Sequence, residues 1–179
     1  MVTGIDADRL ARVLAPKVDA AWHLHEATAG LDLDLFVMFS SIAGVLGSPG
    51  QGAYAAANHF LDALAAHRRA RGLTAHSLAW GMWDTDGMAA TLSAADRSRV
   101  TRSGLGLISG PVGVALFDAA VATDAAALVA AGVDVPALHR AATARDVPTV
   151  LRALVGTATT AGTSAGASVA TAASNRAGP

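Results

Sequence analysis

The chain has 179 residues, of which 53% are hydrophobic, and its formal net charge is -1. This length and apolar fraction predict one globular domain, and the lack of a basic excess argues against nucleic acid as a partner. The absence of cysteine excludes disulfides and thiolate metal sites, and we found no signal peptide or membrane-length apolar run, so we expect a cytoplasmic protein without a metal or a membrane partner.

The first half of the chain predicts two helical regions around one strand. Apolar residues at helical spacing predict a helix over 7–29, which Pro16 divides into two pieces. The apolar run 35–39 predicts a strand that is buried on both faces, as in a parallel sheet. A loop with glycine and proline over 44–52 precedes a second helix over 53–71, whose basic last turn is predicted to be a solvated helix end.

The second half repeats this alternation. Strands are predicted over 73–80 and 128–131, and helices over 93–101 and 111–121. Strands that alternate with helices predict an α/β fold with a parallel sheet. From residue 156 the composition changes to alanine, threonine, serine and glycine, which predicts a flexible, disordered linker or tail over 156–179.

Polar side chains follow the first predicted strand. Tyr54, the only tyrosine, and Asn58 are four residues apart and so share a helix face. Chemistry in open α/β sheets lies beyond the carboxyl ends of strands, so Ser41 is expected to meet them in one cleft, whereas Ser40 is interpreted as a turn residue. A tyrosine can protonate a developing alkoxide if a cation is near, and Lys17, the only lysine, is the candidate.

The order of these four residues resembles the ketoreductase domains of modular type I polyketide synthases, in the short-chain dehydrogenase/reductase superfamily. In these domains the lysine and asparagine positions are exchanged relative to the usual superfamily order, as they are here. The segments "APKVDAAWHLHE", "FVMFSSIAGVLGSPGQGAYAAAN" and "SLAWGMW" agree with the resemblance, which covers roughly residues 5 to 140. It implies a Rossmann-like, three-layer parallel sheet.

The resemblance also implies a role for each site residue. Tyr54 would protonate the carbonyl oxygen and Ser41 would hydrogen-bond the same oxygen. Lys17 would contact the nicotinamide ribose of NADPH and assist the tyrosine, and Asn58 would hold a water in the proton relay. The segment 83–102 would be a mobile lid over the substrate. Three further residues would lie beside the nicotinamide: Trp80, Gly81 and Met82.

The implied reaction is the reduction of a β-ketoacyl thioester to the β-hydroxyacyl form. The substrate would be carried on the phosphopantetheine of an acyl carrier protein, and other polyketide synthase domains would be partners. No glycine-rich phosphate turn occurs in the sequence, so residues 1–155 are expected to be the C-terminal part of a ketoreductase domain. Without the cofactor-binding strands one sheet edge would be open to self-association.

Two alternatives remain at the level of sequence. A short-chain dehydrogenase acting on a free small molecule is one, although the exchanged lysine and asparagine argue against it. A non-catalytic remnant or scaffold piece is the other, favoured by the missing cofactor half and opposed by the intact set of four residues. Leu46 stands eight residues before Tyr54, where ketoreductases of one product configuration usually carry tryptophan, and this favours the other, B-type, configuration.

Overall fold

The computed structural model describes residues 5–47, 50–84, 104–143, 147 and 149–156. Its helices are α1 (Ala7–Leu14), α2 (Val18–Thr28), α3 (Ile42–Leu46), α4 (Gly52–Arg69), α5 (Gly110–Val121), α6 (Val135–Thr143) and α7 (Arg152–Gly156), with a 3-10 turn at Thr149–Leu151. Its strands are β1 (Val37–Ser41), β2 (His76–Trp80), β3 (Leu105–Gly106), β4 (Ala127–Ala130) and β5 (Gly132–Val133).

A parallel sheet of order β1-β2-β4 forms the centre of the described fold. In its register Ser41, the last residue of β1, lies opposite Trp80, the last residue of β2. The short strands β3 and β5 form a separate antiparallel pair. The predicted parallel α/β sheet is therefore confirmed, and the carboxyl ends of β1 and β2 meet at one edge.

Apolar side chains cover the sheet on both faces, which makes three layers. On one face, α2 and α4 pack against β1 through a cluster consisting of Ala21, Met38, Leu61, Leu64, Ala65 and Ala75. On the other face, α5 packs against β2 and β4 through a cluster consisting of Leu78, Trp80, Ile108, Ala120 and Ala130. Each fully buried leucine of this kind stabilises the fold by about 1.5–3 kcal/mol.

The break at Pro16 is confirmed, since α1 ends at Leu14 and α2 begins at Val18. The predicted first strand is displaced by two residues, and the prediction that it is buried on both faces was wrong. Phe39 is 53% exposed, because α5 packs mainly on β2 and β4 and only partly covers this face of β1, the outer strand of the described sheet. An apolar run alone does not distinguish a central strand from an outer one.

Other boundaries differ modestly. The predicted loop over 44–52 begins inside α3, a short helix that the pattern did not predict, and β2 begins at His76 rather than at residue 73. The predicted helix over 93–101 and the tail beyond 156 lie outside the described residues. No helix among the residues the structure describes is long and apolar enough to span a membrane.

Candidate active site

Lys17 lies beside β1, at the break between α1 and α2. Pro16 ends the first helix, and Lys17 becomes the N-cap residue of α2. Its Nζ donates a hydrogen bond to the carbonyl oxygen of Phe39 at 2.8 Å. The same Nζ lies 5.9 Å from the centroid of the Tyr54 ring. An ammonium at this distance from an aromatic face is attracted to it, so the cation and the phenol share one small region.

The first two turns of α4 hold Tyr54 and Asn58. Asn58 is fully buried, and its Nδ2 donates to the Tyr54 carbonyl oxygen at 2.8 Å. Its Oδ1 is buried and has no hydrogen-bond partner among the described residues. An orphaned buried acceptor costs about 1–3 kcal/mol unless a donor satisfies it, so this atom fits an ordered water.

Ser41 ends β1 and is the N-cap of α3. Its Oγ accepts a hydrogen bond from the Ala43 backbone N–H at 3.2 Å. A hydroxyl has one proton and two lone pairs, so this cap uses a lone pair and leaves the O–H free to donate. The Ser41 and Tyr54 hydroxyls are not bonded to each other within the described structure, and both remain available to a third group.

Trp80, Gly81 and Met82 continue from β2 at the same edge of the sheet. Trp80 is buried, and its ring centroid lies 5.4 Å from that of Phe39, while its Nε1 has no partner among the described residues. The Gly81 N–H donates to the Ala130 carbonyl oxygen at 2.8 Å. A Cβ at Gly81 would lie 3.0 Å from the Cβ of Ala131, so this segment is tightly packed against the residue that follows β4.

Trp83 does not extend away from the fold as the start of a lid would. It forms a parallel bridge with Ile108, and its ring packs against Gly113 of α5. It also lies 4.8 Å from the Trp80 ring centroid. The remainder of the predicted lid, residues 85–102, lies outside the described residues.

Sequence reasoning missed two residues that support this region. Ser40 was interpreted as a turn residue, but it is buried and its Oγ donates to the Asn58 carbonyl oxygen at 3.1 Å. Arg68 was predicted to lie on a solvated helix end, and this was wrong, because it is 1% exposed. The alternation of the strand places Ser40 on the helix-covered face, which could have identified it, whereas no local signal identifies the buried arginine.

Comparisons with known proteins agree with this geometry. The family model described as KR domain matches residues 1–85. Polyketide synthase GfsB of Streptomyces halstedii is 51% identical over 94% of this chain, which covers 3% of that protein. Spectinabilin polyketide synthase system protein NorB of Streptomyces orinoci is 55% identical over 83% of this chain, which covers 7% of that protein.

Solved structures give the same assignment. An A-type ketoreductase from a modular polyketide synthase is 40% identical, with a TM-score of 0.75 over 88% of this chain. This chain spans 33% of that ketoreductase. The parallel sheet with helices on both faces, and the agreement of family model, relatives and structures, support one assignment. The chain belongs to the ketoreductase domains of modular polyketide synthases, within the short-chain dehydrogenase/reductase superfamily.

Proposed function

We propose that this chain carries the proton-donating half of an NADPH-dependent ketoreductase. Its substrate is a β-ketoacyl thioester on the phosphopantetheine of an acyl carrier protein, and its product is the β-hydroxyacyl form. The observation that carries the proposal is the position of Lys17 Nζ, 5.9 Å from the Tyr54 ring centroid and bonded to the carbonyl oxygen of Phe39 in β1. A cation beside a phenol favours the phenolate that remains after proton donation.

Tyr54 is the proton donor in this mechanism. Its hydroxyl has no partner in the described residues, so its proton is available to the substrate's keto oxygen, and the O–H of Ser41 donates to the same oxygen. As the keto group becomes an alcohol, the Tyr54 proton forms the new O–H bond and a phenolate remains beside the Lys17 ammonium. Two donors placed where negative charge develops lower the barrier to reduction.

Asn58 is assigned to the return of the proton. Its buried Oδ1 lacks a donor within the described residues, so a water bonded there would satisfy it. That water would connect the site with solvent and restore the proton of Tyr54 after each turnover. Ser40 helps to hold Asn58 in place, because its hydroxyl donates a hydrogen bond to the Asn58 carbonyl oxygen.

The residues present fit the nicotinamide end of the cofactor. Lys17 has three ammonium protons, of which Phe39 uses one, so two remain for ribose hydroxyls. Trp80, Gly81 and Met82 form the adjacent wall at the end of β2. When bound, NADPH supplies the hydride that reduces the keto carbon. We assign no residues to its pyrophosphate, since the sequence contains no glycine-rich phosphate turn.

We assign a second copy of the chain to the outer edge of β1. Within the described sheet β1 pairs only with β2, and the side chain of Phe39 in this strand is exposed. An outer strand presents unpaired backbone groups, and an adjacent aromatic side chain adds apolar surface for association.

The test uses the purified chain and two measurements. Oxidation of NADPH in the presence of a β-ketoacyl thioester surrogate is monitored by absorbance, and NADPH binding is measured by fluorescence titration. Tyr54→Phe removes one hydroxyl oxygen and leaves the ring that Lys17 faces. We expect it to lower kcat by about 10²–10⁴-fold while NADPH binding is retained, because proton donation by a positioned side chain contributes this much.

Lys17→Met is the matched variant for cofactor binding, since methionine keeps much of the apolar stem but removes the ammonium. It is expected to weaken NADPH binding and lower kcat. Turnover that survives Tyr54→Phe would overturn the assignment of the proton donor. An absence of both turnover and NADPH binding in the unmodified chain would instead favour the non-catalytic alternative.

A further inference from the structure

A buried polar cluster joins α2 to α4. Arg68, in the last turn of α4, is 1% exposed. Its Nη1 lies 3.1 Å from Nδ1 of His25 and donates to Thr28 Oγ1 at 3.1 Å, and both partners are on α2. Its Nε donates to the carbonyl oxygen of Thr74 at 3.2 Å, in the segment that leads into β2. One guanidinium thus bonds two helices and the sheet connection together; we call Arg68, His25 and Thr28 the α2–α4 clamp.

No carboxylate among the described residues contacts the buried positive charge of the clamp. All contacts of Arg68 in the described structure are to neutral groups, including the Phe36 ring, whose centroid lies 3.8 Å from Cζ. A guanidinium only donates, so His25 Nδ1 must be unprotonated. Burial, and then Arg68, lower the pKa of His25, which keeps the imidazole neutral. The charges of His67 and Arg71 also lower the pKa of His25, whereas that of Glu26 raises it.

Apart from the clamp, α2 packs through small or partly exposed side chains and through ring contacts. Its buried side chains are only those of Ala21 and His25, and an alanine removes little apolar surface from water. Trp22 packs against the His25 ring but remains 39% exposed. The ring of His67, on α4, also contacts the rings of His25 and Trp22, at centroid distances of 5.5 and 6.2 Å. Among the described residues, the side-chain hydrogen bonds that join α2 to α4 are those of the clamp.

Lys17 is the N-cap residue of α2, eight residues before His25, or about 12 Å along a helix. We propose that Arg68, together with His25 and Thr28, is a positioning residue that locks α2 onto α4 and so holds the Lys17 ammonium over Tyr54. Arg68 itself does not contact the reacting atoms. The catalytic meaning of this arrangement rests on the proposed function, whereas the clamp can be tested without turnover.

Chemical labelling of Lys17 provides the test, because it is the only lysine in the chain. The full chain is treated with an amine-acetylating reagent, and Lys17 is separated from the N-terminal amine by peptide mass mapping. In the unmodified chain the bond from Nζ to the Phe39 carbonyl is expected to slow acetylation. We expect Arg68→Gln to accelerate it by about five- to tenfold and Thr28→Val by about two- to threefold, because local opening exposes the amine.

Arg69→Gln is the matched control. Arg69 is the next residue on α4 and is also bonded to backbone, at 2.9 Å to the Ala75 carbonyl oxygen, but none of its bonds in the described residues reaches α2. Its labelling rate is expected to stay within about twofold of the unmodified chain. Thr28→Ser keeps the hydroxyl that Thr28→Val removes, so Lys17 in this variant should be acetylated as slowly as in the unmodified chain.

If Arg68→Gln and Arg69→Gln accelerate the acetylation of Lys17 equally, the fold is generally destabilised and the proposed role of the clamp is wrong. An unchanged rate of acetylation in Arg68→Gln would also overturn the proposal. If Arg68→Gln does not fold, as judged by circular dichroism, Thr28→Val decides, because it removes one hydroxyl at nearly constant shape. Where NADPH oxidation is measurable, Thr28→Val should raise the KM for NADPH more than it lowers kcat. An inactive chain with clamp-dependent labelling would reject the proposed function and leave the clamp standing.

Discussion

At the scale of single residues, two adjacent serines at the end of β1 have different tasks. Ser40 points toward the α4 face, is buried and donates to the Asn58 carbonyl oxygen. Ser41 points to the opposite face, caps α3 with a lone pair and keeps its proton free. Because successive side chains of a strand alternate between faces, one hydroxyl supports the helix and the other is left to the site.

Substituting each serine by alanine separates these tasks. Ser41→Ala is expected to lower kcat/KM by about 10²-fold, as the loss of one donor to a developing oxyanion does. Ser40→Ala removes a buried hydrogen bond and is expected to lower the free energy of unfolding by about 1 kcal/mol. Its kcat/KM should stay within about threefold of the unmodified chain. Urea unfolding and the reductase assay check both values, and equal losses of turnover would contradict the division.

At the scale of elements, a glycine of α5 allows this helix to pack closely against Trp83 beside the sheet. Gly113 is buried where the Trp83 ring crosses α5, and an added Cβ would overlap that ring. The short connection between β2 and the Trp83 bridge leaves the indole little freedom to move away. A residue with no side chain thus permits the close approach of the helix to the end of β2, where Trp80 lies.

Gly113→Ala is therefore expected to destabilise the fold despite the better helix propensity of alanine. The gain of up to about 1 kcal/mol from propensity is outweighed by overpacking of about 1–3 kcal/mol. Gly110→Ala in the same helix is the control, because its Cβ would meet nothing within 4 Å. Thermal unfolding measures both, and a higher Tm for Gly113→Ala would contradict the fitted packing.

At the scale of the whole molecule, two buried histidines are expected to make the stability depend on pH. Burial, and then Arg68, lower the pKa of His25, while burial, and then Arg69, lower that of His76. The unfolded chain takes up protons on these groups as the pH falls below about 6.5, while the folded chain does not yet do so. Their contribution to stability is thus complete above this pH and is lost as the pH falls from there toward the folded values.

We expect the free energy of unfolding to fall as the pH is lowered from 7.5 to 5.5, by at most about 1.4 kcal/mol per pH unit for each histidine. His25→Gln should give a shallower pH dependence than the unmodified chain, measured by urea unfolding at the two pH values. His23→Gln is the matched control, since that side chain is exposed on the same helix. A slope unchanged by His25→Gln would mean that this histidine does not carry the effect.

Most of the architecture followed from local patterns. The alternation of apolar strands with helices predicted the parallel sheet, Pro16 predicted the division of the first helix, and spacing placed Tyr54 and Asn58 on one face. These features depend on backbone geometry over a few residues, so a sequence window contains the necessary information. The outer position of β1 did not follow, since the same apolar run suits a strand with one neighbour or two.

The sequence by itself determined the family, the order of the elements and the residue types available to the site. Only the tertiary structure decided that Lys17 bonds the Phe39 carbonyl beside Tyr54, and that Arg68 is buried against α2. The contact between Arg68 and His25 joins residues 43 positions apart. Such contacts depend on how helices pack onto the sheet, and an arginine on a helix end is compatible with solvent or with burial until that packing exists.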